Sequence, residues 1–213
     1  MAIAFDSVDA GASATASSVT FSHTMTGSDT ISIVGFYTDT PASYTGVTHD
    51  GAAMTYVGDQ ALPFGATGVR LYYKLSPTTG ATNIVATLST SNSIQAIGVS
   101  YTGVQATNVH TKKDTEAGPN TSQTITVTTT EANEWLVAAF ANDTETMLAG
   151  ADTTWRGSEN SVNMLDSGGA RAAGSNSLTA TISTGGEIGS VVVSLIPGSQ
   201  GGGAANHWLL MGV

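Results

Sequence analysis

The 213-residue chain carries 6 Lys and Arg against 16 Asp and Glu, a net charge of −10, and it has no cysteine. That charge opposes a polyanion, because non-specific nucleic-acid affinity comes from basic side chains releasing counterions, and a chain without cysteine has no disulfides, thiol catalysis or Cys-ligated zinc. Only 10% of residues are charged while 25 are Gly, and the Thr, Ser and Val around them describe a sheet protein whose solvent faces are built from hydroxyls.

Residues 3–8 alternate loosely and predict a short strand, whereas the small polar stretch 11–18 reads as a loop. Residues 19–25 alternate Val, Phe and His against Thr and Ser, and a turn at 27–29 leads into TISIVGFYTDT, residues 30–40. The ISIVGFY run is apolar on both strand faces apart from Ser32, the pattern of a strand covered on both sides. Pro41 ends it. VTHDGAAMTYVG, 47–58, predicts a hairpin turning at Asp50 and Gly51, a pair that accepts the positive φ angles of a two-residue turn. VRLYYKL, 69–75, alternates cleanly, with Val69, Leu71, Tyr73 and Leu75 on one face and Arg70, Tyr72 and Lys74 on the other. A Pro77-Gly80 turn and two further strands, 83–89 and 94–102, follow.

Beyond residues 104–108 the plan repeats. A shift of 104 lays VTFSHTMTGSDTISIVGFYTDT, from Val19, over QTITVTTTEANEWLVAAFANDT, from Gln123, so that Phe36 meets Phe140 and Asp39 meets Asp143. At a shift of 94, IVATLS (84–89) meets LTATIS (178–183) and GVSYTG (98–103) meets VVSLIP from Val192. The expectation is an internal duplication: a first β unit at 1–104, a diverged copy at 108–197, and a Gly-rich tether with an apolar tail at 198–213. In the second unit SGGARAAGSN, 167–176, stands in place of the strand at 69–75, which should be shortened there. The five prolines fall between the expected strands, and no window shows helical spacing. The fold class is all-β, an antiparallel β-sandwich of jelly-roll type, either as two tandem lobes or as one sandwich whose duplicated halves share sheets.

Chemistry is sparse. His23, His49, His110 and His207 are scattered without HxH or HExxH spacing, and no serine sits in a GxSxG elbow. No catalytic residue, metal site or cofactor is therefore expected, and the chain does not read as an enzyme. Asp39 and Asp143 each close a central strand in an Asp-Thr pair; they fit calcium held with loop carbonyls, or, as the preferred reading, acceptors for backbone N–H groups at a turn. Trp135 and Phe36 belong to the core. Tyr72 and Tyr73 point to opposite faces, and Tyr72 together with Trp155 forms the candidate ligand-binding surface, although Trp155, by its match to Tyr56, reads better as a packing aromatic. The tail GSQGGGAANHWLLMGV sets His207, Trp208, Leu209, Leu210 and Met211 on a tether. Large apolar residues left in water are an aggregation liability, so these five are the candidate partner-binding residues, with docking back onto the protein itself as the alternative.

VTHDGAAMTYVGDQ, then VRLYYKLSPTTGATNIVATLS, then AIGVSYTGVQ, then a weaker copy closing in VVVSLIPG, resembles a widespread family of β-sandwich proteins from tailed-phage structural regions and bacterial surface proteins. The resemblance spans roughly residues 2–198 and rests on fold-forming motifs, so it implies a virion or surface setting and carries no catalytic residue with it. The first eleven residues, MAIAFDSVDAG, have neither a basic n-region nor an apolar h-region, and no run has the length of a bilayer span. An outside-type composition without an export signal fits release by lysis. The expected function is a non-enzymatic virion structural protein, most concretely a phage capsid decoration or cement protein on the outer surface. Its partners would be capsid or other virion proteins and further copies of itself, with neither nucleic acid nor membrane. The alternative is a carbohydrate-binding module of a tail fibre or receptor-binding apparatus.

Overall fold

The computed structural model describes residues 1–39, 44–62, 67–142 and 147–198, and of 106–119 the backbone alone. Those residues form an all-β antiparallel sandwich of two sheets packed against each other. The first sheet holds β1 (Ala4–Val8), β2 (Ala12–Met25), β3 (Ile31–Thr38), β4 (Tyr44–His49), β5 (Ala52–Ala53), β6 (Thr55–Ala61), β7 (Gly68–Leu75) and β8 (Gly80–Thr102). Its order is β5-β4-β8-β3-β7-β6, with β1 and β2 also on β8. The second holds β9 (Val104–Thr129), β10 (Trp135–Ala141), β11 (Met147–Ala149), β12 (Thr154–Glu159), β13 (Val162–Asp166) and β14 (Gly174–Pro197). It runs β11-β14-β10-β13-β12, with β9 also on β14.

Each sheet folds over on itself because one long strand, β8 in the first and β14 in the second, changes neighbours partway along. Residues 84–88 of β8 pair with β4 and residues 94–101 with β3. Between the two segments the β2 ladder jumps from Ser18–Thr87 to Ala16–Asn92, so Ser17 alone opposes 88–91. In β14 the ladder to β9 jumps likewise from Thr181–Ser122 to Gly186–Asn120. Extra residues on one strand bend it and increase its twist. Two closed apolar clusters result: Val19, Phe21, Val34, Phe36, Val47 and Ile84 lie inside the first fold, and Ile125, Leu136, Phe140, Leu178 and Val192 inside the second. A third cluster fills the space between the sheets, with Ile31, Ile33, Leu71, Val99 and Tyr101 meeting Trp135, Val137, Met164, Val193 and Leu195.

The two-faced apolar run is explained by this layering. Every residue of β3 and of β10 is buried: Val34 and Phe36 enter the first cluster, Leu136 and Phe140 the second, and the alternate positions Ile31, Ile33, Trp135 and Val137 the shared core. Residues 4–102, the first unit, thus build one sheet and residues 104–197, the second unit, the other, and the two sheets share a core rather than strands. Their ladders run in matching register: Ile31–Tyr101 corresponds to Trp135–Leu195, and Phe21–Ile84 to Ile125–Leu178, at the offsets of 104 and 94 seen in the sequence. The Asp50-Gly51 hairpin turn forms as expected, both residues at positive φ (51° and 71°) between β4 and β5.

Several boundaries differ from the sequence expectation. Residues 12–16 are strand, laddered to 92–96; along this largely exposed edge the pairing is by backbone and leaves no apolar alternation to read. The strands expected at 83–89 and 94–102 are one strand, β8, and the expected join at 104–108 lies inside β9. Pro119 also lies within β9, between the paired residues Glu116 and Asn120 where the ladder slips. The counterpart of β7 is β13, five residues long, and not the 167–176 segment, which is mostly loop pinned by an Arg171–Glu134 bridge.

One buried polar group ties the sheets together. The Asp166 carboxylate, fully buried, accepts from the Tyr101 hydroxyl at 2.8 Å and from Arg156 Nε at 2.6 Å on one oxygen, and from the Gly168 N–H at 2.8 Å on the other. Tyr101 belongs to the first unit and Asp166 to the second. The Arg156 guanidinium, which matches the carboxylate's charge, also lies over Phe5 of the first unit, 4.2 Å from its ring centre.

Candidate functional site

Exposed large apolar side chains are few among the described residues, and two of them occupy the same place in the two units. Tyr56 on β6 pairs with Tyr72 of β7, and Trp155 on β12 pairs with Leu165 of β13; each precedes a ladder irregularity, at Gly58 and Gly157. Tyr56 is 46% and Trp155 48% exposed. The match between them was legible in the sequence, but it means two presented aromatics, not two packed ones. Tyr72 is 5% exposed and belongs to the first unit's interior cluster, which corrects its assignment to a ligand-binding surface: β7 is covered on the face where Tyr72 points. Tyr72 and Trp155 lie on different sheets and are not brought together.

Around Tyr56 the first unit builds a layered aromatic edge. The Tyr56 hydroxyl donates to the Asp59 carboxylate, fixing the ring, and its inner side rests on Tyr72 at 5.5 Å between centres. Arg70 spreads its guanidinium over Tyr44 at 3.7 Å and reaches Tyr56 at 5.5 Å, a cation–π arrangement that holds both rings. Tyr44 stands edge-on to Phe36 at 4.5 Å, and its hydroxyl is shared between the Phe36 and Gly68 carbonyls, each at 3.2 Å. Burial pushes the Tyr44 phenol well above its usual range, so it remains a donor. The outcome is a pre-set ring with a carboxylate and a guanidinium at its rim, suited to stacking on a flat apolar face whose edges carry hydroxyls. Tyr44, Arg70 and Asp59 were not singled out by sequence; only folding brings them to Tyr56.

The histidines divide differently from the sequence picture. His23 and His49 are fully buried and lie together, ring centres 6.3 Å apart. His49 Nε2 bonds Thr82 Oγ1 at 2.5 Å, while His23 Nδ1 sits 3.0 Å from an Asp9 oxygen in poor hydrogen-bond alignment. Burial pushes both imidazoles below their ordinary value, His49 to about 4 with the His23 ring adding to the shift, whereas Asp9 and Asp6 oppose it at His23. The two rings pack edge to face within the first sheet. Asp39 is exposed at the end of β3, and Asp143 lies outside the described residues, as do His207, Trp208, Leu209, Leu210 and Met211. Among the described residues no group of three or more His, Asp or Glu side chains is placed to hold a metal ion.

Compared with protein-family models, with curated proteins and with solved structures, the chain matches none.

Proposed function

We propose that the chain is a non-enzymatic structural protein of a virion's outer surface, a decoration or cement protein of a tailed-phage capsid. The observation that carries this reading is the three-core block itself: both central strands spend every side chain on packing, and the buried Tyr101–Asp166–Arg156 network is consumed in locking one unit to the other. Such a body supplies rigid contact surface, and its hydroxyl-rich, weakly charged exterior suits stable exposure to solvent. The family resemblance supports the same setting. The partners are capsid or other virion proteins, and the repeated contacts of a symmetric shell favour association of copies. Gradient-purified virions should contain the protein in stoichiometric amount; a trace or absent band rejects the proposal.

A carbohydrate-binding module of a tail fibre or receptor-binding apparatus is the second reading, favoured by one observation, the exposed and rigidly held Tyr56 with Asp59 and Arg70 beside it. It requires glycan-array signals that fall on Tyr56→Ala or Trp155→Ala. An array without hits removes it.

A further inference from the structure

A cleft of about 440 Å³ opens where the two ends of the described chain meet, lined by Met1, Ile3, Trp135, Ala170, Pro197 and Gly198 among others. The Met1 amino group donates to the Gly198 carbonyl at 2.5 Å, and the Gly198 N–H donates to the Gly103 carbonyl at 2.7 Å. Gly198 is at once a wall of the cleft and the residue from which the remaining chain departs. Among the described residues no Asp, Glu, Lys or Arg side chain lines it. Its volume falls within the range of sites that enclose a compact apolar group.

The sequence that follows supplies such a group. Residues 198–207, GSQGGGAANH, lead to Trp208, Leu209, Leu210 and Met211, and ten residues of this composition reach on the order of 17 Å root-mean-square. We propose that the cleft is the docking site of the chain's own Trp208 and its apolar neighbours, held in cis. Two features decide for the same chain over a second copy. The cleft lies at the root of the tether, well inside its reach. A short tether also holds its end at an effective concentration on the order of millimolar, above the concentration at which a second copy competes in dilute solution. Docking in cis holds whether or not the protein sits on a virion.

The chain has no cysteine, so a single Ala132→Cys substitution, at an exposed position beside Asn133 of the cleft, accepts one nitroxide label in the full-length protein. Three tryptophans give three indole N–H signals, and the one lost in Trp208→Phe identifies Trp208. The expected result is that the Trp208 indole signal lies away from the random-coil position and is broadened by the nitroxide, that both persist on dilution, and that Ala170→Asp, an exposed loop substitution placing a charge in the cleft, returns the Trp208 indole of the unlabelled protein to the random-coil position while the rest of the spectrum stays dispersed; a Trp208 indole at the random-coil position in the wild type overturns the proposal. A sharp Trp208 signal in the labelled protein overturns the proposal. So does broadening that appears when labelled, isotopically silent protein is mixed with unlabelled ¹⁵N protein, because that pattern means the tail docks on another copy.

Discussion

Replacing Gly35 with alanine places a methyl group at the tightest point between the two units. Gly35 lies midway along β3 on the face turned to the second unit, and a Cβ built there would sit 2.6 Å from Met164 Sδ, 3.1 Å from Val162 Cγ2 and 3.2 Å from Ala139 Cβ. Ordinary carbon contacts are about 3.5–4.0 Å, so the Met164 sulfur has to retreat by about 1 Å within a shared core whose neighbours are themselves buried. Overpacking of this kind costs about 1–3 kcal/mol, against about 0.4–1 kcal/mol gained because alanine restricts the unfolded chain. The net loss is about 1–2 kcal/mol, which for 213 residues lowers Tm by roughly 2–8 °C. Met164→Ala alone leaves a cavity and costs about 2–5 kcal/mol. The pair should cost less than the sum of its parts by at least ~0.5 kcal/mol, since the new methyl occupies space the sulfur has vacated. Urea unfolding followed by circular dichroism measures all four corners of the cycle, and a single transition is expected because neither unit keeps its inner face covered alone. A Gly35→Ala protein as stable as the wild type, or strictly additive losses, refutes the face-to-face packing of β3 on the second sheet.

Two further outcomes follow from the buried polar groups. Asp166→Ala leaves the Tyr101 hydroxyl and Arg156 without their shared acceptor and should cost about 3–5 kcal/mol, whereas Tyr101→Phe removes one donor to a charged group and should cost about 1.5–3 kcal/mol; chemical denaturation giving the reverse order removes Asp166 as the hub. His23 and His49 stay neutral when folded, with imidazoles held below the ordinary value of 6.5, His49 at about 4, so below pH 6.5 the unfolded chain binds more protons than the native one. Their contribution is therefore present above about pH 6.5 and is lost as pH falls toward 4. Asp9 and Asp6 beside His23, and Asp50 and Lys74 near His49, tune the loss. Melting temperatures across that window should fall less steeply in His49→Gln than in the wild type, and parallel profiles would show that the ring does not titrate with unfolding.

What the sequence disclosed about the fold follows from how each part is buried. β3 and β10 were legible because burial on both faces writes an apolar residue at nearly every position, and the Asp50-Gly51 turn because its backbone angles select those residues. The edge segment at 12–16 left no mark, since an exposed ladder needs only backbone. The fold-over of each sheet was also silent, because it arises from a slip of the ladder at 88–91 and at 182–185, between residues far apart in sequence. That slip decided the fate of Tyr72: alternation in β7 separates Tyr72 from Tyr73 but does not say that a second layer covers the Tyr72 side. The candidate site was half legible for the same reason. Trp155 and its match to Tyr56 stand in the sequence, whereas Arg70, Tyr44 and Asp59 reach Tyr56 only through pairing across β6 and β7 and folding of β4 over them.

A body that commits its central strands wholly to packing leaves edges and ends for any contact it makes. β6 and β12 are the outermost strands at one end of their sheets, and an unpaired edge ordinarily invites another strand to add by backbone hydrogen bonds. Here each is interrupted one residue past its exposed aromatic, where the register shifts between Tyr56 and Gly58 and between Trp155 and Gly157. A bulge breaks the regular row of N–H and C=O groups and twists the strand away from a flat partner, so strand addition is disfavoured where the aromatic is most exposed. What these edges present at Tyr56 and Trp155 is therefore an exposed ring and not a regular row of backbone groups ready to extend the sheet.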